Sequence, residues 1–234
     1  MAIPDPVTTG VVLAGTLQAA KQVQDFIAAV TGHPGETIGT ILGNMFQRRT
    51  ANAETVIGKA RFTLLNIGVT PGPVPLNILQ PLIEGASLEE EESMQERWAN
   101  LLATAANPNE DEIPPSFTNI LAELSPRAAR FLDSVYDHVA ESVPKDTEHE
   151  AVAFTKPLSR GELLNSYITD SPSMKYFLLD LDGLLRLRLL ESEAPPLNRD
   201  EFLAGAPVDE DSIFRLTALA YFFVRACRPP AKPR

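Results

Sequence analysis

Helix starts are the clearest recurring signal in this chain, and they constrain its fold more than any other feature. A side-chain oxygen ahead of apolar residues spaced three and four apart marks where the first free N–H groups of a helix find an acceptor. Ser87 with Glu90, and Ser159 with Glu162, have the spacing of a capping box. Ser125-Pro126 and Ser171-Pro172 place proline at the first helical position, where its missing N–H costs nothing. The expected architecture is mainly α: an N-terminal helical bundle with a C-terminal winged-helix-like subdomain containing a short β-hairpin.

The apolar stripes agree. Helices are expected over 7–31 (Leu13, Leu17, Val23, Phe26, Ile27, Val30), 36–49 and 51–67, with a break at Gly32-His33-Pro34-Gly35. A short helix over 76–84 is expected to end near Gly85, and Ser87 to start the next. That helix carries Met94, Trp98, Leu101, Leu102 and Ala105 on one side. Pro114-Pro115-Ser116 leads into another with Phe117, Ile120, Leu121 and Leu124, and Ser125 starts one burying Phe131, Leu132, Val135, Tyr136 and Val139. The polar stretch Glu141–Glu150 reads as the linker between a helical domain, 1–145, and the winged-helix-like subdomain, 156–230. In the latter, a helix over 172–182 closes near Gly183. Leu185-Arg186-Leu187-Arg188-Leu189 alternates as a strand does, Ile213–Leu216 is its expected partner, and Thr217 caps a last helix through Cys227.

Charge excludes some functions. The net charge is −11, and residues 71–125 hold 1 Lys/Arg against 10 Asp/Glu, or −9. An acidic chain is a poor non-specific ligand for nucleic acid or anionic membrane. The uncharged run Phe62–Ile83 is long enough to span a bilayer, but Pro71, Pro73, Pro75 and Pro81 would strand backbone groups in lipid. No signal peptide is visible, and one cysteine, Cys227, allows no intrachain disulfide, so the expected location is the cytoplasm.

Four stretches in combination carry a family pattern: "PLIEGASLEEEESMQERWANLLATAANP", "PPSFTNILAELSPRAARFLD", "LLDLDGLLRLRLL" and "FRLTALAYFFVRAC". Trp98-Ala99, Leu101-Leu102-Ala103, Pro115-Ser116-Phe117, Leu124-Ser125-Pro126, Gly183-Leu184 and Leu216-Thr217 with Cys227 carry the motifs. The chain resembles the Abi-alpha family, bacterial proteins named for abortive infection, a phage-defence strategy. The resemblance runs over roughly 30–228, strongest over 81–132, with the family's core at about 30–140 within the helical domain. It implies a defence role and names no reaction. Three positions depart from the pattern: Pro114 stands where histidine is frequent, Arg127-Ala128-Ala129 lacks the usual acid, and Ala220 replaces a usual glycine.

No catalytic motif is present: no P-loop, no GxGxxG, no HExxH and no serine elbow. His33, His138 and His149 lie in a turn or in polar surroundings, so no metal or cofactor is expected, and Cys227 reads as a buried small hydrophobe. The expected activity is non-enzymatic, through contact with a phage or host protein, with self-association as a further option. Glu89, Glu90, Glu91 and Glu92 read first as a helix N-terminus in solvent and second, with the acidic band Glu84–Glu123, as a docking patch. Trp98 reads first as core and second as an interface anchor. Arg186 and Arg188, on one face of the expected strand, are the candidate contacts of the winged-helix-like part. The alternatives are a DNA-binding regulator and an effector whose N-terminal helices meet membrane.

Overall fold

The computed structural model describes residues 38–141, 156–167, 174–193 and 212–232, with side chains from Thr50 onward in the first helix. The helices expected over 7–31 and their Gly-Pro break, most of the polar stretch 141–150, His149 and Ser171-Pro172 lie outside these residues. Eight helices and three strands are described. The helices are α1 (Ile38–Asn66), α2 (Leu76–Leu88), α3 (Glu92–Ala105), α4 (Ser116–Glu123), α5 (Pro126–Glu141), α6 (Arg160–Ser166), α7 (Met174–Arg186) and α8 (Ala218–Ala226). The strands are β1 (Leu158–Ser159), β2 (Leu190–Glu193) and β3 (Ile213–Leu216). The chain is mainly α-helical, with a small antiparallel sheet towards its C-terminal end.

Contacts divide the chain into two units, Met1–Asn119 with Ala226–Arg234, and Ile120–Arg225. The first is built on α1, α2 and α3. Here the expected helices 36–49 and 51–67 are one continuous helix. Val56, Ile57, Ala60 and Leu64 of α1 are buried with Ile78, Leu82, Ile83 and Ala86 of α2 and Met94, Trp98, Leu101 and Leu102 of α3. α1 closes with Gly68 in the left-handed region (φ 73°), Val69 N donating to Leu64 O at 3.0 Å and Gly68 N to Leu65 O at 3.0 Å. This is the Schellman arrangement, with apolar Val69 folded back on Leu64. At the other end of the unit, Asn100 Nδ2 and Thr104 Oγ1 of α3 donate to Cys227 O and Ala226 O at 3.2 and 3.1 Å.

Two further sequence expectations change in this unit. α2 does not end at Gly85 but runs to Leu88, and Ser87 is in its last turn, its hydroxyl donating to Glu84 O at 2.7 Å. The reason is Trp98. A Cβ at position 85 would overlap the atoms of its six-membered ring, so Gly85 lets the indole lie against α2. Glycine inside a helix costs about 0.5–1 kcal/mol relative to alanine. Burying a tryptophan outweighs that, since truncating one to alanine typically costs about 3–5 kcal/mol.

The second unit holds α5, α6, α7 and the sheet, in strand order β1-β3-β2, all antiparallel. Leu190 pairs with Leu216 and Ser192 with Phe214, while Leu158 pairs with Phe214 on the other side of β3. Phe214 and Leu216 therefore point to one face, buried with Phe131, Leu132, Leu163, Phe177 and Leu181. α5, assigned by sequence to the N-terminal domain, packs against α6, α7 and β3. Ser125 caps α5 through Ala128 N at 3.1 Å, and the Ser159–Glu162 capping box forms as expected.

The expected strand 185–189 is a correction. Those residues end α7 and turn. Leu189 N donates to Leu184 O at 2.9 Å and Arg188 N to Leu185 O at 3.0 Å, with Arg188 at φ 58°. This is a second Schellman turn, made without glycine, and buried Leu184 and Leu189 close it. The strand that pairs with β3 starts one residue later, at Leu190, and a third strand, β1, joins on the far side.

Two expected outcomes follow from these contacts. Gly85→Ala lowers stability by about 1–3 kcal/mol, the range for overpacking a filled core, although alanine favours helix. Arg188→Gly raises it by about 0.5–1 kcal/mol by relieving the left-handed strain, after glycine's larger unfolded-state entropy is subtracted. Urea denaturation of both variants beside the parent chain measures each.

Candidate interaction surfaces

The four glutamates divide by role. Glu89 turns back over the α2–α3 corner, its carboxylate accepting from Glu90 N at 3.0 Å and Glu91 N at 2.9 Å. Glu91, not Ser87, is the N-cap of α3, accepting from Met94 N at 2.8 Å and from the Ser93 hydroxyl. Glu92 lies in the first turn and, with Glu96, stands 3.8 and 3.9 Å from Lys59 Nζ of α1. The carboxylates thus satisfy the free N–H groups where the chain reverses. Glu90 and Glu92 are exposed, and Glu89 and Glu91 half-buried. Trp98, only 1% exposed, presents no surface to a partner.

In the second unit the most developed polar cluster is one the sequence does not assemble. Asp180, on the inner side of α7, accepts from both Nε and Nη2 of Arg127 in α5, the latter at 3.0 Å, and from the Tyr167 hydroxyl at 2.8 Å. Arg127 also lies 4.4 Å from the centroid of the Tyr176 ring. The Tyr167 ring meets Phe131 and Phe177 edge-on, at 5.1 and 5.4 Å between centroids. A buried carboxylate requires such partners, and the two-pronged guanidinium fits its two oxygens. The hydrogen bond to Asp180 holds the Arg127 guanidinium above its ordinary range. Burial, then the bond it donates to Asp180, pushes the Tyr167 hydroxyl up to about 12. Arg127, just after Ser125-Pro126, is thus the cation that neutralises Asp180.

The outward side of α7 is different. Met174, Tyr176 and Leu179 are 45%, 47% and 55% exposed, while Phe177, Leu181 and Leu184 face inward. Lys175 and Asp182 are its other exposed residues with Arg186. Arg186 is on this helix, not on a strand, and its Nη1 is 2.7 Å from Glu123 Oε2. Arg188 occupies the strained turn, so the two arginines do not share a strand face. The Arg188 carbonyl accepts from the Thr217 hydroxyl at 2.8 Å, and the same hydroxyl caps α8 by accepting from Ala220 N at 3.1 Å. Thr217 thereby connects the turn after α7 to the start of α8, a double role that a cap motif alone does not reveal.

His138 Nε2 lies 3.8 Å from Glu162 Oε1. The Ser159 backbone N–H, then its hydroxyl, hold the Glu162 carboxyl below its ordinary range. Cys227 is buried. Among the described residues no group of three or more His, Cys, Asp or Glu is placed to hold a metal ion.

A family model described as abortive infection alpha matches residues 52–227, three quarters of the chain. The match takes in Trp98, the Arg127–Asp180–Tyr167 cluster and Thr217. No curated protein and no solved structure matches.

Removing the carboxylate of the cluster has a measurable cost. Asp180→Asn lowers stability by about 1.5–3 kcal/mol, the range for losing hydrogen bonds to a charged group, towards the lower end because Arg127 is a third exposed. Alkaline pH separates the role of Tyr167. Its folded pKa lies above the unfolded value of 10.0, so its contribution is complete below pH 10 and disappears as pH rises towards about 12. A two-unit shift corresponds to at most about 2.7 kcal/mol, and Tyr167→Phe flattens that part of the stability–pH curve, as chemical denaturation between pH 9 and 12 measures.

Proposed function

We infer the function from one premise, that the chain belongs to the abortive infection alpha family. It takes part in bacterial phage defence of the abortive type, in which growth of the infected cell stops before phage is released. It acts through protein contacts rather than by catalysing a reaction, and the second unit supplies the contact surface. The order α5-β1-α6-α7-β2-β3-α8 supports reading that unit as winged-helix-like. α7 then stands where a winged helix that reads DNA would place its recognition helix.

The observation that carries the reading is the outward face of α7. A DNA-reading helix needs cations to meet phosphates. Here Met174, Tyr176 and Leu179 are exposed beside a single lysine, Asp182 is exposed with them, and Arg186 is engaged by Glu123. Apolar and aromatic side chains exposed together suit a protein partner. The membrane alternative rests on the helices expected around 7–46, most of which lie outside the described residues; no described helix is long and apolar enough to cross a bilayer.

A phage challenge of cells with and without the gene tests the role. Protection at a low phage-to-cell ratio with collapse of the culture at a high ratio is the expected pattern, and no protection across a broad phage panel overturns it. Met174→Glu/Leu179→Glu is expected to abolish protection while leaving the thermal melt unchanged. A mobility shift of duplex DNA at low salt by the parent chain, lost in a Lys175→Glu variant, would replace protein contact with DNA binding.

A further inference from the structure

Among the described residues, one side of α1 is left exposed, and that side has a two-fold pattern. Val56, Ile57, Ala60 and Leu64 face inward. Ala51, Thr55, Gly58, Phe62 and Leu65 face outward, spaced four, three, four and three residues apart, the spacing of a helix seam. Phe62 is 65% exposed and Leu65 58%, unusual for large apolar side chains on a regular helix. Nothing lies within 4 Å of where a side chain at Gly58 would begin.

We propose that this side of α1 is a homodimer interface in which α1 packs antiparallel on α1 of a second copy, with the two-fold axis passing near Gly58. A two-fold interface must be self-complementary: a residue ahead of the axis meets one equally far behind it. Ala51 and Leu65 are centred on position 58, and Thr55 and Phe62 within half a residue of it. The small side chain of each pair faces the large one, and Gly58 lets the two backbones approach at the crossing. Charge obeys the same symmetry. Glu54 and Arg61 are also centred within half a residue of Gly58, so each glutamate comes beside the arginine of the other copy at both ends of the contact. In a parallel pair Glu54 and Arg61, seven residues apart on one flank, would stand at different heights, and neither would meet its opposite charge. That complementarity singles out a second copy, in antiparallel orientation, over an unrelated partner or another segment of the same chain.

The experiment uses the full chain. Light scattering coupled to size exclusion is expected to show a dimer, and Phe62→Glu/Leu65→Glu to raise its dissociation constant at least about tenfold, the loss of one or more anchor contacts. Both side chains are exposed, so the thermal melt of the monomer is expected to hold. Gly58→Cys is expected to give a disulfide-linked dimer on mild oxidation, because the axis brings the two new thiols together while Cys227 is buried. Glu54→Arg is expected to weaken the dimer, and adding Arg61→Glu to restore it. A chain that is monomeric at every concentration overturns the proposal, and so does a dimer that is indifferent to Phe62→Glu/Leu65→Glu and forms no Gly58→Cys cross-link. Cover of the seam by residues 1–37 of the same chain would give the first result.

Discussion

The placement of one indole ring organises the first unit. Trp98 is the largest side chain buried there, and its ring needs a flat, side-chain-free place on α2, which Gly85 supplies. Once the ring lies there, α2 has no reason to stop at its glycine. It continues to Leu88, carries Ser87 into its last turn, and passes the start of α3 to Glu91. The reversal between the two helices then falls on a run of glutamates, and two of them fold back onto the backbone N–H groups that the turn exposes. The acidic cluster is thus a consequence of a packing decision, and only part of it remains for solvent or a partner.

The second unit solves a related problem with charge. α5 and α7 bring Arg127 and Asp180 together beside a cluster of three aromatic rings, and Tyr167 supplies a further hydrogen bond to the carboxylate. A buried ion pair adds little to stability compared with a well-packed apolar replacement, but it is sensitive to register. A helix displaced by one residue would leave a charge buried without its partner. The same helix ends in a turn that holds an arginine in a conformation better suited to glycine, where Leu184 and Leu189 close the end and the Arg188 carbonyl receives Thr217. The local strain is offset by apolar closure and by the hydrogen bond that starts α8.

These choices bear on function by deciding what remains outside. In each unit the inward face of one helix is filled, and its outward face keeps large apolar groups: Phe62 and Leu65 on α1, Met174, Tyr176 and Leu179 on α7. The proposals that α1 meets a second copy and that α7 meets a different protein rest on these two outward faces.

Much of the architecture was determined by the sequence alone. The helical character, the caps at Ser125, Ser159 and Thr217, the strand Ile213–Leu216 and the buried positions of Trp98, Phe131 and Cys227 follow from periods and caps that act within a few residues. The family was legible too, because its motifs are mostly helix starts and core positions. What the sequence could not decide was any point where a distant residue overrides a local preference. Gly85 reads as a stop unless Trp98 is known to lie on it, and Ser87-Glu90 reads as a capping box unless the helix before it runs on. Leu185–Leu189 alternates like a strand, yet α7 continues through Arg186 and Leu189 closes it. Arg127, Tyr167 and Asp180 lie up to 53 positions apart, and nothing in their spacing pairs them until the fold brings them together. Local chemistry specifies where helices can begin; tertiary packing decides where they end and which polar groups meet, because those outcomes depend on burial that no short window of sequence contains.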